Sequence, residues 1–303
     1  MKFEVTILGS SSATPVFNRN PTAQLLNCNE KFYLIDCGEG TQQQMIRFGL
    51  KASKIDAAFI SHLHGDHYFG LIGLLSTMHL NGRIKPFLIF GPPALKEILE
   101  MQFIHSDTQL RYEIEYYPVA ADQSRVIYEN ADMIVETIIL NHRIPTTGFK
   151  FTEQKRMRKV LAEKLEQENV PAEYYQLLKK GLDLTLPGGR IILNEDYTID
   201  SEKPKSYCYC SDTLADGSYL DTIRNCTLLY HEATFLNELL ERAIMTHHTT
   251  ALQAAEVAKE VGAEKLLIGH FSSRYKTLLP LLEEACTIFA NTELALESTT
   301  FTI

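Results

Sequence analysis

The 303-residue chain lacks any apolar run approaching the ~18 residues that a membrane-spanning helix needs. Its first residues, MKFEVTILGSSS, also lack a signal-peptide cleavage pattern, because one early lysine is followed by a short alternating apolar stretch. With 45% hydrophobic and 22% charged residues, the composition excludes a disordered or fibrous protein. We therefore expect a globular, cytoplasmic protein with no membrane partner.

Cysteine is also scarce, and its spacing is uninformative. The six cysteines are scattered singly except for Cys208 and Cys210, so they form neither a zinc knuckle nor a disulfide framework. A chain of this length can bury a sizeable core without either device. We expect all six to be reduced thiols.

Basic residues are fewer than acidic ones: the chain has 29 Lys and Arg residues and 38 Asp and Glu residues, which gives a net charge of −9. Taken alone, this balance argues against a polyanionic partner such as nucleic acid. Residues 150–180 are different, because eight basic and five acidic residues give this segment a net charge of +3. The segment could be a solvated amphipathic helix pair or a local surface for an anionic partner, and its composition leaves both open.

The rest of the chain alternates short strands with helices. Apolar runs of strand length include VTILG, AAFIS, FLIFG, SYCYC and KLLIG, and helical patterns include FGLIGLLSTMHL, ALKEILEMQF and ALQAAEVAKEVG. A hairpin is predicted around Asn29 and Glu30, and a last strand in LALESTTFTI. Because both halves repeat strands followed by covering helices, we predict an α/β sandwich of two mixed sheets with helices outside.

The most informative segment is HLHGDH, which places four potential metal ligands within six residues directly after a buried strand. Neutral imidazole and carboxylate are used together to bind divalent metals. At an extended strand exit His62 and His64 project the same way and can share one metal. Asp66 and His67, beyond the glycine, can turn towards another, so the spacing fits two metals better than one.

The segment SHLHGDH resembles the HxHxDH signature of the metallo-β-lactamase superfamily of dinuclear zinc hydrolases. Within it, the chain resembles the ribonuclease Z family of tRNA 3′-processing endoribonucleases. The similarity runs through VTILGSSSATP, FGLIGLL, NHRIPTTGF, SYCYCSDT, LLYHEATF, HTTALQAAEVAKEVG and LLIGHFSSRY. It implies a single catalytic domain over residues 1–303 with an αββα sandwich, and an inserted substrate-binding arm over residues 150–190.

The resemblance also implies two zinc ions per subunit, with manganese as an alternative because His/Asp sites accept both. One ion would be held by His62, His64 and His142, the other by Asp66, His67 and His270, and Asp212 would bridge them. The residues agree in one respect, because the three distant ligands His142, Asp212 and His270 each follow a predicted strand. His79, His105 and His247 are expected to have structural roles.

The implied reaction is hydrolysis of precursor tRNA after the acceptor stem, which leaves a 3′-hydroxyl on the tRNA and a 5′-phosphate on the trailer. Two divalent metals suit this reaction because they offset charge that develops on phosphate oxygens. Asp66 would orient the nucleophile or accept its proton. Glu232 and His248 would form a relay that protonates the leaving 3′ oxygen.

Substrate binding is implied for the arm, which in this family grips the tRNA elbow, often in a homodimer where one subunit's arm serves the other's site. The basic residues expected to contribute are Lys155, Arg156, Arg158 and Lys159. The family's glycine-proline signature is missing from the arm, where NVPAEYYQLLKKG stands instead.

The segment PVFNRN resembles the family's PxKxRN loop, which is associated with sensing the tRNA 3′ end, but Phe17 replaces the lysine. Arg19 is available to contact phosphate, and Phe17 could stack on a base. The sequence leaves open how a CCA end is treated and which RNAs are cut.

Other classes predict different sequences. A small-molecule hydrolase of the same superfamily, such as a cyclic-nucleotide phosphodiesterase or a thioesterase, would lack a long basic arm, and a di-iron oxidoreductase usually has a carboxylate where His64 stands. A non-catalytic RNA-binding scaffold would have lost several ligands, whereas all seven positions are filled. We therefore predict a nuclease whose binding to RNA is local, arm-dependent and salt-sensitive despite the acidic total.

Overall fold

The computed structural model describes residues 2–303. Its contacts divide the chain into two compact units. The sandwich unit comprises the chain up to Thr152 together with Ser206–Ile303, and the inserted unit comprises Glu153–Lys205. The predicted arm, residues 150–190, overlaps most of the inserted unit.

The sandwich unit contains two seven-stranded mixed sheets. The first has the strand order β18-β1-β2-β3-β4-β5-β6, formed by β1 (Phe3–Gly9), β2 (Ala23–Cys28), β3 (Lys31–Cys37), β4 (Ile55–Phe59), β5 (Phe87–Gly91), β6 (Ile114–Pro118) and β18 (Thr300–Thr302). The second has the order β17-β16-β15-β14-β9-β8-β7, formed by β7 (Val126–Glu129), β8 (Met133–Leu140), β9 (Thr146–Glu153), β14 (Ser206–Cys210), β15 (Leu228–Glu232), β16 (Lys265–Gly269) and β17 (Thr292–Leu294).

Helices cover the outer faces of both sheets. Those of the sandwich unit are α1 (Thr41–Arg47), α2 (Gly65–Tyr68), α3 (Leu71–Leu80), α4 (Leu95–His105), α8 (Leu220–Ile223), α9 (Leu240–Thr246), α10 (Ala251–Glu260) and α11 (Leu279–Cys286). Single 3₁₀ turns occur at Ala52–Lys54, Ala172–Tyr174 and Asn237–Leu239. None of the helices in the described part of the chain has both the length and the apolarity needed to cross a bilayer.

Three apolar layers hold the sandwich together. Between the sheets, Phe59 of β4 meets Phe149 and Phe151 of β9 edge to face, with ring centroids 5.5 and 5.3 Å apart. Leucines of α3 and α4 cover the outer face of the first sheet, and alanines of α10 with Leu281 of α11 cover the second. The predicted αββα sandwich is therefore confirmed.

Local sequence pattern predicted two further features of the first sheet. Asn29 and Glu30 both adopt positive φ angles, 52° and 63°, as a tight turn matched to strand twist requires, so the predicted hairpin is confirmed. The last strand predicted in LALESTTFTI is confirmed, since β18 lies within that segment. β17 ends at Leu294, the first residue of the segment. Ser298 turns the chain with a φ of 67°, so β17 pairs in the second sheet and β18 in the first.

Each sheet contains a run of parallel strands, which brings their carboxyl ends to one edge. In the first sheet β3, β4, β5 and β6 are parallel, and in the second β14, β15, β16 and β17 are parallel. Loops at such an edge can vary while the strands hold their ends rigidly. The HxHxDH segment leaves β4 at this edge.

The inserted unit has a small core of its own, made by Leu165, Val170, Leu178, Leu184 and Ile192. Its elements are β10 (Lys159–Val160), α5 (Ala162–Gln167), α6 (Tyr175–Lys179), β11 (Leu184–Thr185), β12 (Ile191–Ile192), α7 (Asn194–Tyr197) and β13 (Thr198–Ile199). β10 pairs with β13, and β11 pairs with β12 through a turn that contains two glycines of positive φ. The unit is thus more than a helix pair.

Candidate metal centre and active-site cleft

The predicted site residues of the sandwich unit come together from separated parts of the chain. His62 lies shortly after the end of β4. His142, Asp212 and His270 follow β8, β14 and β16. Their ligand atoms form two groups, in each of which all donor atoms lie within 4.8 Å of one another: His62, His64, His142 and Asp212 in the first, and Asp66, His67 and His270 in the second.

In the first group, three ring nitrogens converge. Nδ1 of His64 lies 3.0 Å from Nε2 of His62 and 3.2 Å from Nε2 of His142. The Nδ1 atom of His142 bonds the backbone carbonyl of His247 at 2.8 Å, which turns the other ring nitrogen towards the group. Asp212 Oδ2 completes it, 3.7 Å from His62 Nε2 and 3.6 Å from His142 Nε2.

Asp212 connects the two groups through its two oxygens. While Oδ2 faces the first group, Oδ1 lies 3.4 Å from Nε2 of His67 and 3.1 Å from Nε2 of His270 in the second. Asp66 Oδ2 lies 3.5 Å from each of the same two nitrogens. The Asp212 carboxylate therefore has the position that a bridging ligand would need.

The donor set fits divalent metal ions. Nε2 of His67 and Nε2 of His270 are buried and make no hydrogen bond of normal geometry within the described chain. A buried ring nitrogen left without a partner is costly unless another group binds it. Imidazole and carboxylate donors at one point are the ligands of zinc, and they also accept manganese.

The electrostatics of the two groups differ. In the first, burial lowers the pKa of His142 to about 4 and the pKa of His62 well below its usual value, so these rings are neutral, as metal ligands must be. In the second, burial opposes the imidazolium form of His67, but Asp212 and Asp66 raise its pKa well above its usual value. Such a concentration of carboxylates favours a bound cation.

Asp36 is a site residue that the sequence analysis missed. It is fully buried at the end of β3, where Oδ2 accepts hydrogen bonds from Nδ1 of His67 at 2.7 Å and from the Tyr209 hydroxyl at 2.6 Å. Both oxygens also accept from Ser61. A carboxylate on the far nitrogen of a metal-binding histidine orients the ring and raises its basicity. An aspartate in the otherwise apolar run FYLIDC was the available signal.

Glu232 and His248 form a pair beside the second group. Oε1 of Glu232, which is completely buried, lies 2.9 Å from Nδ1 of His248, and Oε2 accepts from the Thr234 hydroxyl at 2.5 Å. Although burial opposes its charged form, Glu232 raises the pKa of His248 to about 9. His248 lies close enough to Asp212 and His270 to form a third donor group with them.

An open cleft of about 400 Å³ leads to these residues. His64, Asp66, Asp212 and His248 lie on its floor and walls, and its rim is formed by the segment 12–15 together with Pro21, Glu39, Gly65, Phe69 and Arg143. Arg143 has no ion pair or hydrogen bond with the described residues. Its charge disfavours protonation of His64 and His248, so the cleft combines carboxylates with one free guanidinium.

The predicted substrate residues of the PVFNRN loop lie together. Phe17 is 48% exposed, and the guanidinium of Arg19 lies 5.6 Å from the centre of its ring. Arg19 also donates from Nη2 to the carbonyl of Tyr275 at 2.9 Å. This bond leaves Arg19 less free to reach a phosphate than we expected, whereas the Phe17 ring is open to solvent.

Within the inserted unit, the predicted basic residues divide into two kinds. Arg156 pairs with Glu153, and Arg158 pairs with Asp200. Lys155 and Lys159 are exposed and form no ion pair with the described residues. Because residues 153–205 contain ten basic and ten acidic residues, the excess noted for 150–180 is offset by acids that follow it.

The three histidines expected to be structural lie apart from the two donor groups. His79 in α3 accepts a hydrogen bond from the backbone N–H of Arg111, and His105 is exposed at the end of α4. His247 adopts a φ of 55° and contributes its backbone carbonyl to His142. These positions agree with the expectation.

Known proteins resemble this chain in sequence and in fold. A family model described as "Anti-Pycsar protein Apyc1" matches residues 3–160. Ribonuclease Z of Cytophaga hutchinsonii is 46% identical over 302 residues, which cover 99% of this chain and 96% of the relative.

Two solved structures resemble the chain over 99% of both partners' lengths. They are human tRNase Z, short form, with a TM-score of 0.72 and 26% identity, and the metallo-β-lactamase fold protein YhfI from Bacillus subtilis, with a TM-score of 0.70 and 19% identity. The second likeness concerns the fold alone. Through residues 3–160 the chain belongs to the family that the model describes, and over its full length it belongs to the ribonuclease Z family of metallo-β-lactamase-fold proteins.

Proposed function

We propose that this endoribonuclease is zinc-dependent and removes the 3′ trailer from precursor tRNA. It would hydrolyse the phosphodiester bond after the acceptor stem, leaving a 3′-hydroxyl on the tRNA and a 5′-phosphate on the trailer. The observation that carries this proposal is the pair of donor groups joined by Asp212, which lies beside the Glu232–His248 pair at an open cleft. The substrate of human tRNase Z and the Cytophaga relative's name support the choice of RNA.

Seven residues would hold the metal ions: His62, His64, His142, Asp66, His67, His270 and the shared Asp212. Two Zn²⁺ ions per subunit, or Mn²⁺ in their place, would supply Lewis acidity and offset negative charge on the phosphate. Asp36 would keep the His67 ring in the orientation that binding needs. We also propose that the protein acts in the cytoplasm.

Two proton transfers are assigned to this chain's own residues. Asp66 would accept a proton from the attacking water, because its Oδ2 lies in the cleft, where the N–H of Ala13 donates to it at 2.7 Å. As the P–O3′ bond breaks, His248 would donate a proton to the leaving 3′ oxygen. Glu232 would hold His248 in position through the 2.9 Å contact to Nδ1, which leaves Nε2 for the substrate.

The inserted unit would bind the body of the tRNA as an arm of the single catalytic domain. Changing the exposed Lys155, Lys159 and Lys180 to glutamine is expected to raise KM and leave kcat nearly unchanged, since these residues would contact phosphates far from the cut. The slope of log K against log salt should fall by about one for each lost contact. Equilibrium binding of precursor tRNA at several salt concentrations measures this.

The matched control replaces three exposed lysines of the sandwich unit, Lys51, Lys96 and Lys259, by glutamine. An unchanged salt slope in the arm variant, or an equal change in the control, would contradict the role of the arm.

We also propose a homodimer, and sedimentation of the purified protein at the mass of one chain, 34.4 kDa, would contradict it.

The experiment that tests the proposed function is cleavage of matched precursor tRNAs with and without an encoded CCA, mapped to the nucleotide. One cut after the acceptor stem is expected in the precursor without CCA, with a 3′-hydroxyl and a 5′-phosphate at the new ends. Because Phe17 stands where the resembling loop has lysine, we expect the CCA-bearing precursor to be cut as well. Failure to cut either RNA, with metal supplied, would overturn the proposal.

A further inference from the structure

We propose that Phe69 is a stacking platform for the base of a nucleotide that adjoins the scissile phosphodiester. The inference rests on the proposed function and adds a positioning residue to it. Phe69 lies directly after α2, two residues beyond His67, and its ring forms part of the rim of the cleft that holds His64, Asp66 and His248.

The ring is unusually open for an aromatic side chain. Phe69 is 61% exposed, although it belongs to the large apolar residues that a folded chain normally buries. Among the described residues that line the cleft, it is the only one with a phenyl or phenol ring. An open aromatic ring on the rim of a functional cleft is available to stack on the base of a bound nucleotide.

The local backbone holds the ring in this exposed position. The N–H of Phe69 donates to the carbonyl of Gly65 at 2.9 Å, and the N–H of Gly70 donates to the carbonyl of Cys37 at 2.9 Å. The ring lies so close over Gly65 that a Cβ atom there would overlap three of its carbons. The Tyr68 ring contacts it edge-on, with centroids 5.0 Å apart. The platform is therefore already ordered, which reduces the entropic cost of stacking.

The surroundings favour a nucleotide over an apolar protein surface. Asp66, Glu39 and Arg143 share the cleft with Phe69, and an apolar partner would bury these charged groups without pairing them. A nucleotide offers a flat base to the ring and a phosphate to the guanidinium of Arg143. Every base has such a face, so this contact is independent of the nucleotide sequence.

The test compares Phe69→Leu, which keeps apolar bulk but removes the flat ring, with Phe69→Trp, which keeps a ring. On an ordinary precursor, Phe69→Leu should lower kcat/KM by roughly 5- to 150-fold, the usual strength of stacking on one base. Phe69→Trp should stay close to the unmodified protein. Two further precursors each lack one base, either at the nucleotide before the cut or at the nucleotide after it. The effect of Phe69→Leu should disappear on one of these two precursors, and the missing base then identifies the stacked nucleotide.

A second readout does not depend on turnover. In an RNA with an uncleavable linkage at the cut, 2-aminopurine placed at that nucleotide should change its fluorescence when the metal-loaded protein binds, and Phe69→Leu should remove that change. Ile84→Ala, which truncates an 81% exposed residue outside the cleft, is the matched control and should change neither readout. Thermal unfolding of each variant verifies that it is folded.

Three results would overturn the inference. The first two are cleavage by Phe69→Leu at the rate of the unmodified protein and an equal loss of activity on every abasic precursor. The third is a smaller sedimentation coefficient for Phe69→Leu than for the unmodified protein, which would show that the ring packs against a second copy of the chain. If the unmodified protein leaves precursor tRNA uncut, the proposed function fails on its own. That outcome is distinguishable, since the Phe69 comparison is made between variants on RNA that the unmodified protein cleaves.

Discussion

Replacing Asp212 by alanine is expected to lower kcat/KM for precursor tRNA strongly and to lower the metal content of the protein. One oxygen of Asp212 faces His62 and His142, and the other faces His67 and His270, so the substitution removes a donor from both groups. Metal ions contribute several kcal/mol to stabilising charge in such reactions. At 1.36 kcal/mol per factor of ten, a loss of about 4 kcal/mol lowers kcat/KM about 10³-fold.

Elemental analysis and cleavage assays on the same preparation measure the two effects. The control is Asp221→Ala, because the Asp221 carboxylate is 93% exposed and pairs only with Arg224 in the described chain. Normal processing of precursor tRNA by a His64→Ala/Asp212→Ala double variant with unchanged metal content would contradict the proposed mechanism. A double variant that loses metal and activity together would instead agree with a catalytic centre and disagree with a non-catalytic scaffold.

Replacing His248 by alanine is expected to lower kcat by about 10²- to 10⁴-fold, which is the usual contribution of a positioned general acid. KM and metal content should change little, because His248 would act on the leaving oxygen and not hold an ion. The informative substrate is an aryl phosphodiester, whose nitrophenolate leaving group needs no proton. On that substrate His248→Ala should lose much less activity than on precursor tRNA.

Two further variants sharpen this comparison. Glu232→Gln keeps a polar partner within reach of Nδ1 of His248 but removes the charge, so a smaller loss with the same substrate dependence is expected. His105→Ala, at an exposed position of α4, should have no effect. An equal loss on both substrates, or loss of metal from His248→Ala, would show that His248 serves as a ligand in the third donor group and not as the acid.

Local sequence pattern predicted much of the fold, because the relevant forces act over a few residues. The Asn29–Glu30 turn needs only two residues that tolerate positive φ, and the buried strand before His62 needs only a short apolar run. Local pattern also predicted a last strand in LALESTTFTI, which is β18. It could not predict which sheet β17 and β18 join, because that depends on partner strands elsewhere in the chain.

The same division applies to the site. HLHGDH is compact enough to identify a metal motif from spacing alone, and a resemblance to known proteins was needed for His142, Asp212, His270, Glu232 and His248. Asp36 escaped notice because its role depends on burial against His67, Ser61 and Tyr209, which are up to 173 residues away. Likewise, the sequence does not reveal how exposed the side chains of Phe69 and Arg19 are, because neighbouring segments determine that exposure.

The amino-acid sequence alone was sufficient for the family and the αββα class, because motif spacing and strand periodicity are local and specific. It also supplied seven candidate donor residues, three of them only through a resemblance to known proteins. Tertiary structure decided which oxygen of Asp212 faces which group, which nitrogen of each histidine is free, and which basic residues of the inserted unit are already paired. These features depend on distances between side chains far apart in the chain. Such distances are determined only when the two sheets pack and the carboxyl ends of their strands meet.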